Sequence, residues 1–113
     1  MHTVAEHFQR SEPKVQAVYD KIVNAARACG PVGEDPKKTS IHLTRRTAFA
    51  GIATRKSALI LTLKASSDIQ NARIIKHERA SANRWHLNVK LEDPRDVDAT
   101  VVAWITQAYG LAE

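Results

Sequence analysis

The stretch "KKTSIHLTRRTAFAGIATRKSALILTLK", residues 37–64, holds three apolar segments joined by short basic links. Residues 38–45 alternate apolar and polar side chains, which predicts a half-buried strand. Residues 47–53 and 58–64 carry apolar groups on both faces, as central strands do. The links are too short for parallel crossovers, which need about a dozen residues. This stretch therefore predicts antiparallel hairpins within one sheet.

Three segments outside this stretch complete the predicted sheet. Residues 85–91 alternate cleanly and predict another half-buried strand. Residues 73–77 carry a shorter strand pattern, and residues 32–36 are predicted to form a short edge strand or a loop. The sheet should therefore contain about four to five strands.

Helices are predicted on either side of the strands. Residues 12–29 place apolar side chains three and four positions apart, which indicates an amphipathic helix with Ser11 as its N-cap. Gly30 and Pro31 should end this helix, because glycine adopts a left-handed cap and proline cannot continue a helix. Residues 94–109 repeat the same apolar spacing and predict a second helix.

This order of elements predicts a single α+β domain over residues 1–113, with residues 1–10 as a loosely ordered N-terminal arm. We expect a two-layer sandwich in which both helices pack on one face of an antiparallel sheet and bury Trp85 and Trp104. A bulge near Gly51 would shift the assignment of faces by one residue. The side chains predicted on the open face are Ser40, His42, Thr62, Lys64, His86, Asn88 and Lys90.

The composition excludes several classes of protein. The chain is 43% hydrophobic and 26% charged, which is typical of a folded domain and not of a disordered or fibrous one. Its longest apolar run, residues 58–61, is far shorter than the ~18 residues of a membrane span. The one cysteine, Cys29, permits no internal disulfide, and we expect it to be a small buried apolar residue. These features predict a cytoplasmic protein that does not bind membranes.

Charge is distributed unevenly along the chain. Residues 37–90 hold twelve of the seventeen lysines and arginines but only two acids, a balance of +10. The two flanks together carry five bases and ten acids, a balance of −5. Such asymmetry determines which charged partners a surface attracts, although it does not determine the fold.

The basic residues cluster at the turns of the predicted sheet. In an antiparallel meander, the turns at residues 37–38 and 55–56 share one end, and the turn at residues 45–46 lies at the other. A positive rim at both ends of a polar face would follow a phosphate backbone, since each neutralised phosphate releases counterions. The residues predicted to contact phosphate are Lys37, Lys38, Arg45, Arg46, Arg55, Lys56 and Arg84. The residues predicted to line the face or a pocket on it are Ser40, His42, His86, Asn88 and Lys90.

A structural explanation of the same charges is that they keep hairpins soluble and block pairing at sheet edges. Enzyme motifs for nucleotide binding, nucleophilic attack or zinc hydrolysis are lacking in the sequence. His42, His77 and His86 fall in predicted strands with only two carboxylates nearby, so we interpret them as surface or hydrogen-bonded histidines. We therefore expect a non-enzymatic binding module for nucleic acid or another polyanion, without a cofactor or metal.

Two alternatives remain open. The first is a pocket for a small ligand, or an enzyme of unrecognised type, built around Ser40, His42, Arg84 and His86. The second is a homodimer that buries the open sheet face against a second copy, with Ile52 and Ile60 in the contact.

Several segments resemble a known family. They are "HTVAEHF" (residues 2–8), "PKKTSIHLTRRTAFAG" (residues 36–51), "SANRWH" (residues 81–86) and "DVDATVVAWITQAYGLAE" (residues 96–113). Together they resemble a bacterial family of small domains of unknown function, number five-six-five-five in its series. The resemblance implies a compact α+β domain that occurs alone or joined to uncharacterised or defence-associated domains. It implies no catalytic residue, although nucleic-acid-processing neighbours favour contact with nucleic acid.

Overall fold

A computed structural model of the chain describes residues 2–112 and places two helical elements before the strands and two after them. A short 3₁₀ helix, Ala5–Phe8, precedes helix α1, Pro13–Arg27. The strands are β1 (Gly33–Pro36), β2 (Ile41–Thr44), β3 (Ala48–Thr54), β4 (Leu59–Ala65), β5 (Ile74–Ser81) and β6 (Arg84–Leu91). A 3₁₀ turn, Pro94–Asp96, then leads into helix α2, Ala99–Gly110.

The described strands form one sheet in the order β1-β2-β3-β4-β6-β5, with every neighbouring pair antiparallel. Both helices pack on the sheet, so the predicted two-layer α+β fold is confirmed. The strand count is six, slightly above the prediction. The segment at residues 73–77 becomes the eight-residue strand β5, because it forms a hairpin with β6 through Ala82 and Asn83.

Alternation along the strands separates a buried face from an open one. In β4, Leu59, Leu61 and Leu63 are buried under the helices, whereas Ile60 and Thr62 are half-exposed on the opposite face. Branched and apolar side chains on one face of a pleated strand form a core only when another layer covers them. Helix α1 supplies that layer with the stripe predicted from its spacing, Val15, Val18, Tyr19, Ile22, Val23 and Ala26.

Both helix starts differ from the prediction. The N-cap of α1 is Glu12, in extended conformation ahead of Pro13, and the Ser11 hydroxyl instead donates to the carbonyl oxygen of Arg55 at 2.8 Å. Helix α2 begins at Ala99, five residues later than expected, because Asp93 and Asp96 close a separate 3₁₀ turn through a capping box.

The expected bulge lies two residues before Gly51, and the open face keeps its predicted register at the centre. The register between β2 and β3 shifts between Leu43 and Thr44, which turns Phe49 into the core, 5.3 Å from the ring of Tyr109. Gly51 remains on the open face, two residues further along β3.

Two predictions about apolar residues are wrong. Ile52, which the dimer hypothesis placed on the open face, is fully buried under the helices. Cys29 is exposed, with its Sγ 3.8 Å from the carbonyl oxygen of Ala25 and 3.7 Å from the hydroxyl of Thr106. Trp104 is buried as expected, whereas Trp85 is half-buried at the margin of the same core.

The arm expected at residues 1–10 includes Met1, which lies outside the described residues. Two apolar residues of this segment pack on the domain: Phe8 is buried, with its ring 5.2 Å from that of Tyr19, and Val4 lies against the same core. The hydroxyl of Thr54 donates to the carbonyl oxygen of His7 at 2.7 Å. Neither helix of the described chain has the length and apolar character that a membrane span requires.

Candidate anion-binding surface

A groove runs along strand β3 on the open face of the sheet. The residues that β3 directs to this face are Ala48, Gly51 and Ala53, which are small or lack a side chain. Flanking strands carry longer side chains, so a trough of about 320 Å³ is left between them. We call this trough, together with its walls, the β3 groove.

Polar side chains form the walls of the β3 groove. Strand β2 and the turn before it contribute Ser40 and His42, and strands β4 and β6 contribute Thr62, Lys64 and His86. His42 and Thr62 are both backbone partners of Gly51, one on each side, so their strands lie about 10 Å apart. No carboxylate of the described residues lines the groove.

The acids nearest to the groove lie at its outer margins, where each contacts a lysine outside the groove and one also contacts the wall residue His86. Asp35 of β1 is the register partner of His42, but its carboxylate contacts the ammonium of Lys37 at 2.8 Å. Glu78 of β5 lies 3.9 Å from the Nδ1 of His86 and 3.7 Å from the ammonium of Lys76. The walls of the groove therefore keep a positive or neutral character.

Asn88 and Lys90 lie on the open face but outside the β3 groove. Asn88 is the register partner of Thr62, and its Oδ1 accepts a hydrogen bond from the Thr62 hydroxyl at 3.0 Å. Lys90 is exposed opposite Ile60, one row nearer the end that carries Arg55.

One end of the sheet carries four of the bases predicted to contact phosphate, at the turns before β2 and before β4. The chain near the N-terminus anchors this end through backbone groups: His7 Nε2 donates to the carbonyl oxygen of Lys37 at 2.8 Å, and the Glu12 amide donates to that of Lys56 at 2.8 Å. The side chains themselves are exposed. The four bases at this end are Lys37, Lys38, Arg55 and Lys56.

The opposite end carries Arg45, Arg46 and Arg84. The guanidinium of Arg45 lies 4.5 Å from the centre of the Tyr109 ring and donates to the Tyr109 carbonyl oxygen at 3.3 Å. Arg45 therefore helps to hold α2 on the sheet, an interaction that the sequence pattern did not reveal. Arg46 is exposed, and the half-buried Arg84 donates to the carbonyl oxygen of Asn83 at 2.8 Å.

This placement corrects the pocket hypothesis. Strand β6 begins at Arg84, next to Trp85, which is the register partner of Ala65, and ends at Leu91 beside Leu59. Arg84 and Ser40 therefore lie at opposite ends of the sheet. The groove does bring together Ser40, His42 and His86. Sequence reasoning missed the role of Gly51 as its floor, although small residues at open-face positions of one strand were visible in "TAFAGIA".

Some bases of the segment 37–90 pair with acids, and others form no ion pair within residues 2–112. Arg73 contacts Asp98 at 2.9 Å, and the backbone amide of Val101 donates to the same carboxylate at 3.1 Å. These hydrogen bonds hold the pKa of Asp98 below its usual value. The bond from Val101 has the largest effect, and the bond from Arg73 comes next. In contrast, several bases of the basic region form no ion pair within residues 2–112: Lys38, Arg46, Arg55, Lys56, Lys64, Arg84 and Lys90.

A second cluster of polar residues lies away from the groove, where β5 meets the loop that precedes it. The Nδ1 of His77 lies 2.6 Å from Asp68, whose other oxygen accepts from Gln70 at 2.7 Å. Nothing in the spacing of these residues predicted the pair. Across residues 2–112, no three His, Cys, Asp or Glu side chains are close enough together to hold a metal ion.

The family model described as "Domain of unknown function (DUF5655)" matches residues 4–112. The chain therefore belongs to this family. No curated protein and no solved structure matches the chain.

Proposed function

We propose that this member of the DUF5655 family is a non-enzymatic binding module whose open sheet face binds a polyanion such as nucleic acid. The helices act as the scaffold of that face. One observation carries the proposal: bases without an ion pair within residues 2–112 lie at both ends of the sheet, while the acids lie mainly in the flanks of the chain. These bases are Lys38, Arg55 and Lys56 at one end and Arg46 and Arg84 at the other. Unpaired exposed cations attract a polyanion at long range and release its counterions on contact.

The dimensions of the sheet fit a phosphate backbone. Strands β3 and β4 each contain seven residues, so they hold the two basic ends roughly 20 Å apart at about 3.4 Å per residue. One strand of a DNA duplex carries a phosphate about every 3.4 Å along the axis. Both ends can therefore contact the same backbone, about six phosphates apart.

The side chains favour backbone contacts over stacking with bases. None of the six aromatic residues is exposed on the open face within residues 2–112. Trp85 faces the helix layer, and Phe49 is buried, so neither offers a stacking platform. We therefore expect binding that varies little with base sequence and that tolerates duplexes.

The residues of the proposed surface have different roles in binding. Lys38, Arg55 and Lys56 at one end and Arg46 and Arg84 at the other would contact phosphates directly. Arg45, stacked on Tyr109, would contribute to the positive potential while holding the helix. His42, Asn88 and Lys90 would line the face between the ends. We place this activity in the cytoplasm, which agrees with a single cysteine.

A salt titration tests the proposal. Filter binding with a short DNA duplex should give a log affinity that falls linearly with log salt concentration. Replacing Arg46 and Arg84 together by alanine should reduce the magnitude of that slope by about two. The control is the double variant Lys14→Ala and Lys21→Ala on α1, which loses the same charge from the helix layer and should keep the slope. Absence of retained DNA or RNA at low salt would refute the proposal.

A further inference from the structure

The β3 groove has features that a phosphate-binding surface does not need. A backbone contact requires exposed cations, whereas this groove has an apolar floor and lies below the level of its walls. We propose that the β3 groove binds a small organic anion with a flat apolar body, such as an aromatic carboxylate. This site does not depend on polyanion binding at the ends of the sheet.

The size of the groove supports a small ligand. Its volume of about 320 Å³ lies at the lower end of the range of roughly 300–1,000 Å³ for small-molecule sites. A ligand of one or two fused rings would occupy such a space. The separation of about 10 Å between the flanking strands leaves room for the ring between the side chains of the two walls.

The floor is suited to the face of a ring. Strand β3 is hydrogen-bonded to β2 on one side and to β4 on the other, so its backbone donors and acceptors face along the sheet. Gly51 lacks a Cβ atom, and Ala48 and Ala53 add only methyl groups. A ring can therefore approach the strand closely without leaving a polar backbone group unpaired.

The charge of the walls selects an anion. Lys64 is half-buried beside the groove, forms no ion pair within residues 2–112, and is the register partner of His86. Its ammonium would make a charge-assisted hydrogen bond to a carboxylate, with His86 as a second contact. Ser40 and His42 on the other wall can hydrogen-bond polar atoms at the far end of the ligand. A cationic ligand would be repelled by Lys64, and none of the lining residues has a carboxylate to pair with it.

The probe for this site is 2-naphthoate, compared with the neutral alcohol 2-naphthylmethanol, which has the same two rings. In two-dimensional amide NMR spectra, we expect saturable shifts at residues 42, 51, 62 and 64 with 2-naphthoate. The alcohol should bind at least tenfold more weakly because it has no charge to pair with Lys64. Equal binding of the two compounds, or shifts confined to the helices, would overturn the proposal.

Two variants test the floor and the wall separately. Gly51→Leu should reduce 2-naphthoate affinity at least tenfold by filling the groove; a Cβ at Gly51 meets only the Cβ of Thr62, at 3.8 Å, so the fold should accept it. The matched control is Gly110→Leu in α2, where a Cβ meets no atom within 4 Å. Wild-type affinity in the Gly51→Leu variant would refute the site.

Lys64→Met should also reduce 2-naphthoate affinity about tenfold while leaving 2-naphthylmethanol unchanged, and Lys21→Met on α1 is its control. This comparison decides the question if Gly51→Leu fails to fold. Unchanged affinity of Lys64→Met for 2-naphthoate would contradict the proposal. If the wild-type protein binds 2-naphthoate but does not bind DNA, only the polyanion proposal is refuted, because the two probes are measured separately.

Discussion

The two faces of the sheet are made by the same strands but have different roles. In β4, Leu61 is fully buried against the helices, whereas its neighbour Thr62 lies on the open face beside Gly51. Acids of the helix layer stabilise its own turns, since Asp96 and Asp98 accept hydrogen bonds from backbone amides. Most bases of the open face and its two ends are exposed. This contrast indicates that one face stabilises the fold and the other is free to bind a ligand.

The largest expected effect tests that division within a single strand. Leu61→Ala should lower the free energy of unfolding by about 3 kcal/mol, because it leaves a cavity under the helices. Thr62→Ala, one residue away, should cost less than about 1 kcal/mol, since Thr62 is half-exposed and loses one hydrogen bond to Asn88. Urea denaturation of both variants measures the difference, and equal costs would contradict the assignment of faces.

A smaller effect compares two glycines. Gly30 has φ +152° and lies against the hydroxyl of Tyr109, which donates to the carbonyl oxygen of Pro31 at 2.9 Å. Gly30→Ala should therefore cost about 1–3 kcal/mol through backbone strain and a clash with Tyr109. Gly51→Ala on the open face should leave stability nearly unchanged. Thermal denaturation distinguishes the two, and a harmless Gly30→Ala would refute the strain argument.

The acid of the helix cap gives a pH-dependent test. Because the folded pKa of Asp98 is lowered, its stabilisation is complete above the unfolded pKa, near 4, and is lost as the pH falls through the folded pKa. Asp98→Asn should lower the melting temperature at pH 7, and the gap from wild type should narrow below pH 4. Asp20→Asn, an exposed change on α1, is the control. A gap that stays constant down to pH 2 would contradict this account.

The smallest effect comes from a polar atom buried with the core. The hydroxyl of Tyr19 is buried without a hydrogen-bond partner among the described residues, and burial raises the pKa of this phenol. Tyr19→Phe should leave stability unchanged or raise it by up to about 1 kcal/mol, because it removes an unsatisfied group. A clear loss of stability in urea would indicate that the hydroxyl has a partner.

The sequence was sufficient for features that follow from periodicity. The alternation in residues 85–91 predicted the face on which Val89 is buried, and helical spacing predicted the buried stripe of α1. Features that depend on register between distant segments were missed. The bulge that buries Phe49, the separation of Arg84 from Ser40 and the stacking of Arg45 on Tyr109 all arise from pairings that local patterns do not specify.

The proposed site was predicted in part for the same reason. Alternation placed His42, His86 and Asn88 on the open face, but only the register of β2, β3 and β4 shows that Gly51 lies between His42 and Thr62. The location of the bases at turns followed from hairpin connectivity. Which of them form no ion pair within residues 2–112, as is true of Lys38 and Arg46, could not be predicted, since it depends on where the acids of the flanks fold.

The most direct test of the functional division is a map of backbone amide shifts on adding a short DNA duplex at low salt. We expect shifts at both ends of the sheet, around residues 38, 46, 56 and 84, and along the open face. These shifts should disappear as salt is raised. Shifts concentrated on α1 and α2, or no shifts at low salt, would contradict the claim that the open face binds the polyanion.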